Sequence, residues 1–169
     1  MPLTTTVGGD SSDSYATVAE ADAYAEAHGF ADWADLDDEE SKEPALRKAA
    51  QWMDGKYRGQ IKGRKTESTQ ALAFPREGCT DEDGNDIDSD VIPTAWKNAQ
   101  MEAAIREALN SGVLFPDLER TTSSEKVGPI AVTYEPGQPT KTELTVIDSL
   151  VSGFLTSGGS ATYGFLLRA

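Results

Sequence analysis

Apolar positions recur near helical spacing in several separate stretches of this chain, each bounded by recognisable start or stop signals. The first runs from Val18 to Ala27, alanine-rich with Tyr24 on one face. Thr17 and Glu20 form a T-x-x-E capping box ahead of it, and Gly29 supplies a left-handed stop. After an acidic link, Asp32 to Glu43, which holds Trp33, a second helix is predicted from about Ser41 to Asp54, with Pro44 tolerated in its first turn. Leu46, Ala49, Ala50, Met53 and Tyr57 make one buried stripe with Trp52 beside it, which packs on the first helix. The longest helix spans Thr94 to Asn110, opened by Pro93 and ended by Gly112, with Met101, Ala104, Ile105, Ala108 and Leu109 on its core face. A last helix carries Leu144, Ile147, Val151, Phe154 and Leu155 behind a second capping box, Thr140 with Glu143, and Gly153 weakens its end.

The intervening segments read differently. Tyr57 to Pro75 is basic, then polar, then briefly apolar (Ala71-Leu72-Ala73-Phe74), and is predicted as extended loop. Glu82-Asp83-Gly84-Asn85 offers residues that accept positive φ, so a small hairpin or tight turn is expected there. Ile130, Val132 and Tyr134 alternate with Ala131 and Thr133 as a half-buried strand, stopped by Pro136, Gly137 and Pro139. Residues 1–14 are too polar to bury and read as a flexible arm. Ser157 to Ser160 is a hinge, and Tyr163, Phe165, Leu166 and Leu167 beyond it form an apolar tail ahead of Arg168 that needs a partner to cover it. The expected fold is mainly α: a small helical bundle of about four helices with a short β-hairpin or strand element and extended N- and C-terminal arms. The expected organisation is an arm (1–14), a single helical domain (15–156) and a docking tail (157–169).

Composition narrows the function. No uninterrupted apolar run approaches the roughly 20 residues of a membrane helix, and residues 1–13 show neither the basic nor the apolar region of a secretory signal, so neither is expected. One cysteine, Cys79, cannot build a disulfide framework or a multi-thiolate metal site. The net charge of −14 argues against nucleic acid as the main ligand, because backbone binding needs a basic face. The charge is uneven: Met1 to Arg47 carries twelve acidic and two basic residues, whereas Lys48 to Thr66 carries six basic residues and only Asp54. Two opposite poles suit head-to-tail contact between identical subunits, with Arg58, Lys62, Arg64 and Lys65 at that interface.

The candidate chemistry is thin. Asp81, Asp83, Asn85, Asp86, Asp88 and Asp90 resemble an oxygen-rich calcium loop, but Gly84 sits at the wrong position and Ile92 replaces the closing glutamate, so an acidic turn is the better reading. His28, the single histidine, directly precedes Gly29 at a helix end and has no evident nucleophile beside it. Gly8-Gly9-Asp10 and Gly128-Pro129 match no phosphate-binding loop. Trp33, Trp52 and Trp96 are read as core or interface anchors. No catalytic residue, cofactor or metal is expected. The one nucleic-acid signal is Lys56 to Lys65, where cations accompany an aromatic; a single-strand binder would use Tyr57, Arg58, Lys62, Arg64 and Lys65.

Several segments in order carry a family resemblance: Ser14-Tyr15-Ala16-Thr17-Val18-Ala19-Glu20-Ala21-Asp22-Ala23-Tyr24, then Lys42 to Asp54, then Gln70-Ala71-Leu72-Ala73-Phe74-Pro75-Arg76. Asp83-Gly84, Ile92-Pro93, Ser124 to Gly128 and the C-terminal helix with its tail complete the set, which covers nearly the whole chain. Together they are similar to the head-tail connector, or adaptor, proteins of tailed bacteriophages, whose relatives often carry the label DnaT-like single-stranded-DNA-binding protein. The resemblance implies a structural virion protein without catalytic residues, found in the host cytoplasm during assembly and then at the virion neck. It implies a homo-oligomeric ring, commonly of about twelve subunits, around a channel through which DNA passes without specific binding. The implied partners are the portal protein and a tail-proximal neck or tail-completion protein. Portal docking would fall to the C-terminal residues Phe154, Leu155, Tyr163, Phe165, Leu166, Leu167 and Arg168. The single-strand DNA binder is the alternative.

Overall fold

The computed structural model describes residues 2–116, 124–127, 130–133 and 144–156. The chain is mainly helical. In order it forms α1 (Val18–His28), the single turn α2 (Ala31–Ala34), a π-helical turn (Asp38–Lys42), α3 (Glu43–Lys56), α4 (Thr94–Leu109) and α5 (Thr145–Val151), which runs into a 3₁₀ turn (Ser152–Phe154). Two antiparallel ladders accompany them: β1 (Arg64–Lys65) with β2 (Arg76–Glu77), and β3 (Ser124–Val127) with β4 (Ile130–Thr133). The predicted bundle with short β elements is therefore the observed class, although the partner strand β3 was not foreseen.

The capping box forms as the sequence predicts. Thr17 Oγ1 accepts from the Glu20 amide at 3.2 Å, and the Glu20 carboxylate accepts from the Thr17 amide at 2.8 Å. Gly29, at φ 77°, ends α1 without the penalty a Cβ would bring. The core lies between α3 and α4, where Leu46, Ala49, Ala50 and Met53 meet Ala99, Ala103 and Ala104. Those facing alanines let the helices approach closely, and burial of the stripe is worth roughly 25 cal/mol per Å² of apolar surface. α5 closes the other side of α4 with Ile147 and Val151. The helix expected to reach a neighbouring chain thus completes this chain's own core.

The Trp96 indole sits at the centre. Phe74 lies 4.8 Å from it between ring centroids, and Tyr57, Tyr15 and Phe154 stand tilted or edge-on at 5.9, 6.2 and 6.5 Å. These separations and tilts are the geometry that aromatic quadrupoles favour. The buried Trp96 Nε1 makes no hydrogen bond among the described residues.

Residues 2–14 are extended, but they are tied down. Asp13 Oδ1 accepts from the Thr4 amide at 2.7 Å, the Asp13 amide donates back to Thr4 O at 2.9 Å, and the Ala71 amide donates to Gly9 O at 3.0 Å. The anchor is Gln100, fully buried on α4. Its Oε1 accepts from the Tyr15 and Ala16 amides at 3.1 and 3.0 Å, while its Nε2 donates to Ser14 Oγ and Leu46 O at 2.7 and 2.8 Å. All four hydrogen-bonding positions of one amide are used. Side chains too polar to make a hydrophobic core hold the segment by hydrogen bonds instead.

Candidate nucleic-acid interface

α3 buries one stripe and turns the rest of its circumference to solvent. Arg47, Lys48, Gln51, Trp52, Asp54, Gly55 and Lys56 fall on the open side, all exposed or half-buried, and exposed Arg58 follows in the next turn. Lys48, Trp52 and Lys56 are spaced i, i+4, i+8, so they form one row; Arg47, Gln51 and Gly55 form a second row beside it. From Arg47 to Arg58 the helix and its turn extend about 16 Å at the α-helical rise, the scale of the shortest single-strand sites, about four nucleotides.

A shallow groove of about 380 Å³ runs along the second row, lined by Asp13, Arg47, Gln51, Asp54, Gly55, Arg58, Ala71 and Leu72. Lys65 adjoins it, its ammonium donating to Gln70 O and Ala71 O at 2.9 and 3.4 Å. In the first row Lys56 Nζ stands 4.8 Å above the Trp52 ring and 5.1 Å from the Tyr57 ring. Trp33 and Trp96 are 1% and 0% exposed, so Trp52, half-buried, is the one indole that solvent reaches.

Burial holds the Asp54 carboxyl above its usual range, against the hydrogen bonds of Tyr15 Oη and the Ala73 amide and the nearby charges of Lys65 and Arg58. The adjacent cations are held in turn. Arg47 Nε donates to Asp13 at 2.6 Å and its Nη2 to Glu43 at 3.1 Å, Lys48 to Glu107 at 2.9 Å, and Lys56 to Asp148. Arg58 makes no hydrogen bond or ion pair among the described residues.

The residues singled out from sequence divide into two groups. Arg58 and Lys65 reach the groove. Arg64 is exposed but lies on β1 with its guanidinium on Glu77 at 2.8 Å. Tyr57 is not a stacking platform: its ring is buried against Trp96, its hydroxyl donates to Asp148 at 2.6 Å, and burial first, then that carboxylate, push its pKa far up. Lys62 is an internal fastener, since its ammonium donates to Gly153 O, Asp81 O and Thr80 O at 2.8, 3.1 and 3.4 Å. An ammonium engaged by three carbonyls has no donor left for a neighbouring subunit.

Phe154 and Leu155, expected on a docking surface, belong to the fold. Phe154 packs on Trp96 and Phe74, Leu155 bridges to Ile61, and the Lys62 amide donates to Phe154 O at 2.9 Å. Tyr163, Phe165, Leu166, Leu167 and Arg168 lie outside the described residues, as do Thr140 and Glu143. The Asp81 carboxylate turns inward, accepting from the Asp83 and Asn85 amides at 2.9 and 2.8 Å and from Asn85 Nδ2 at 2.9 Å. His28 Nδ1 donates to Tyr24 O at 2.8 Å and its ring stacks on Tyr24. Among the described residues no group of three or more potential metal ligands converges, and no helix is long and apolar enough to cross a membrane.

Arg47, Lys48, Gln51 and Trp52 were not read as site residues from the sequence, yet the Lys48-Trp52-Lys56 spacing was there to be seen. That geometry acquires meaning from comparison with known sequences. The family described as "Putative DnaT-like ssDNA binding protein" matches residues 1–169. The chain belongs to this family. No curated protein and no solved structure matches it. Membership overturns the head-tail connector reading, because the matched family is described by single-stranded DNA and nothing in the match points to a phage connector. The portal and tail-side partners, the ring of about twelve around DNA and the virion-neck location were implied by that resemblance.

Proposed function

We propose that this chain is a non-catalytic single-stranded-DNA-binding protein that lays the DNA backbone along the solvent face of α3. Arg47, Lys48, Lys56 and Arg58 meet phosphates, Lys65 extends the track at the groove edge, and a base stacks on Trp52. The observation that carries this reading is the row of cations flanking the one indole that solvent reaches, in a chain whose family is described by single-strand binding. The net charge of −14, which argues against nucleic acid from composition alone, is met by a locally cationic face. Counterion release depends on the local cationic track, while the acidic remainder limits affinity. Stacking on an aromatic also requires a base free of its partner, which favours single strands over duplex.

The test is fluorescence anisotropy of a labelled twenty-nucleotide oligothymidine with the full chain across a salt series. Arg58→Glu is expected to weaken binding at least tenfold and to flatten the slope of log K against log salt by about 0.7 or more. DNA is expected to quench tryptophan emission through Trp52, and Trp52→Phe to remove that quench. Binding unaffected by Arg58→Glu, or a quench that survives Trp52→Phe, would place the DNA elsewhere.

A further inference from the structure

Three cations of the α3 face are engaged by carboxylates that other segments of the chain supply. Asp13 comes from the N-terminal segment to Arg47, Glu107 from α4 to Lys48, and Asp148 from α5 to Lys56. Resting on the single-strand reading above, we infer that Asp13 and Asp148 are internal phosphate surrogates, which the DNA backbone displaces when it binds. A carboxylate and a phosphodiester offer guanidinium and ammonium groups the same anionic oxygen acceptors, so the two compete for one set of donors.

The three carboxylates differ in a way that decides which can exchange. Glu107 is 3% exposed and also accepts from the Gly112 and Leu114 amides, both at 3.1 Å, so it is a fixture of the helix end. Asp13 and Asp148 are 34% and 44% exposed, so water can solvate either carboxylate in place when a phosphate takes its cation. Each also keeps a neutral role that outlasts its charge: Asp13 accepts from the Thr4 amide, and Asp148 accepts from Tyr57 Oη. Half-exposed ion pairs contribute little to folding, which makes the exchange inexpensive. Arg58, which is in no ion pair among the described residues, is the point at which a strand can first land.

The surrogates also explain how an acidic protein keeps a cationic track from collecting other polyanions. An incoming strand gains only the difference between its own contacts and those it breaks. A chain must therefore engage several cations together, with a base on Trp52, before the exchange is favourable.

The experiment compares the full-length chain with Asp13→Asn, Asp148→Asn and the double variant, which preserve the neutral acceptors. Asp35→Asn, an exposed position just after α2, controls for the unit charge removed in each single variant. Binding of the same oligothymidine is measured from low to high salt, and circular dichroism confirms the fold. The double variant is expected to bind about tenfold tighter near 0.1 M salt, with a slope within about 0.7 of the parent's, because the same cations meet phosphate in both. Asp35→Asn is expected to change affinity less than about twofold. If the parent binds in an Arg58-dependent way but neither Asp13→Asn nor Asp148→Asn binds tighter than Asp35→Asn, the surrogate role is refuted and the single-strand reading stands. If neither parent nor variants bind at low salt, the single-strand reading fails first. Should Asp148→Asn disturb the fold, Asp13→Asn alone is expected to bind about threefold tighter than the parent, and binding no tighter than that of Asp35→Asn refutes the inference.

Discussion

Gln100→Leu is the substitution whose consequence can be worked most directly from the structure. Leucine fills nearly the same volume but removes the acceptor shared by the Tyr15 and Ala16 amides. The Ala16 amide keeps a weaker alternative in Ser14 Oγ at 3.3 Å, so Tyr15 N–H is the group left without its acceptor in the core. An unsatisfied buried donor costs about 1–3 kcal/mol, and the lost bonds from Nε2 to Ser14 and Leu46 add about 1 kcal/mol, offset in part by the apolar side chain. A net loss of about 2–3 kcal/mol is a sizeable share of a typical total of about 5–15 kcal/mol. It corresponds to a fall in Tm of roughly 5–10 °C for a chain of this size. Urea unfolding followed by tryptophan emission gives the number, and limited proteolysis gives its location, since residues 2–14 should become cleavable before the helices unfold. A loss below about 0.5 kcal/mol with an unchanged urea slope would refute the argument that this amide anchors the N-terminal segment.

Two further outcomes follow from particular contacts. At Glu107, burial raises the carboxyl pKa, but the hydrogen bonds from Lys48 and from the Leu114 and Gly112 amides outweigh it and leave the pKa below its usual value. Its stabilising contribution is therefore complete above the unfolded-state value, about 4.3, and is lost as pH falls through the lower folded-state value. The stability gap between the parent and Glu107→Gln, measured by thermal unfolding from pH 3 to 7, should be constant above about pH 5 and close below about pH 4; a gap independent of pH would contradict the pairing. Gly63 and Gly29 both have positive φ, at 70° and 77°, but a Cβ on Gly63 would sit 2.3 Å from Glu77 O whereas one on Gly29 would meet nothing within 4 Å. Alanine at position 29 should cost about 1–2 kcal/mol, and at position 63 at least about 3 kcal/mol; equal losses would show that the close approach of the two strands is not limiting.

The elements that were legible are those in which one local signal decides the outcome. The Thr17–Glu20 box and Gly29 marked both ends of α1, and the stripe from Leu46 to Met53 marked the buried face of α3. What escaped was set by partners distant in sequence. Gln100 reads as a solvent-facing residue of α4, because nothing nearby says that four groups from two other segments converge on it. Tyr57 carried two signals, the last place in the buried stripe that runs through Met53 and an aromatic among cations, and the structure follows the first. Lys62 looked like free positive charge, and only the return of the chain at Gly153 shows where its ammonium goes. At the interface, Arg58 and Lys65 were legible as cations in a basic run, whereas Arg47 and Lys48 were hidden at the seam where the acidic stretch ends.

The aromatic cluster around Trp96 has a bearing on how the chain is made. Its walls come from Tyr15, Tyr57, Phe74 and Phe154, so the centre of the molecule draws on nearly the whole length of the described chain. During synthesis, α1, α3 and α4 are all complete before Phe154 has been added, and until then one side of the indole stands open. Closure is thus a late, long-range event, of the kind that slows folding and leaves apolar surface exposed to other chains in the interval. A nascent chain stalled short of residue 154 would carry its helices and lack the last wall of the room they enclose.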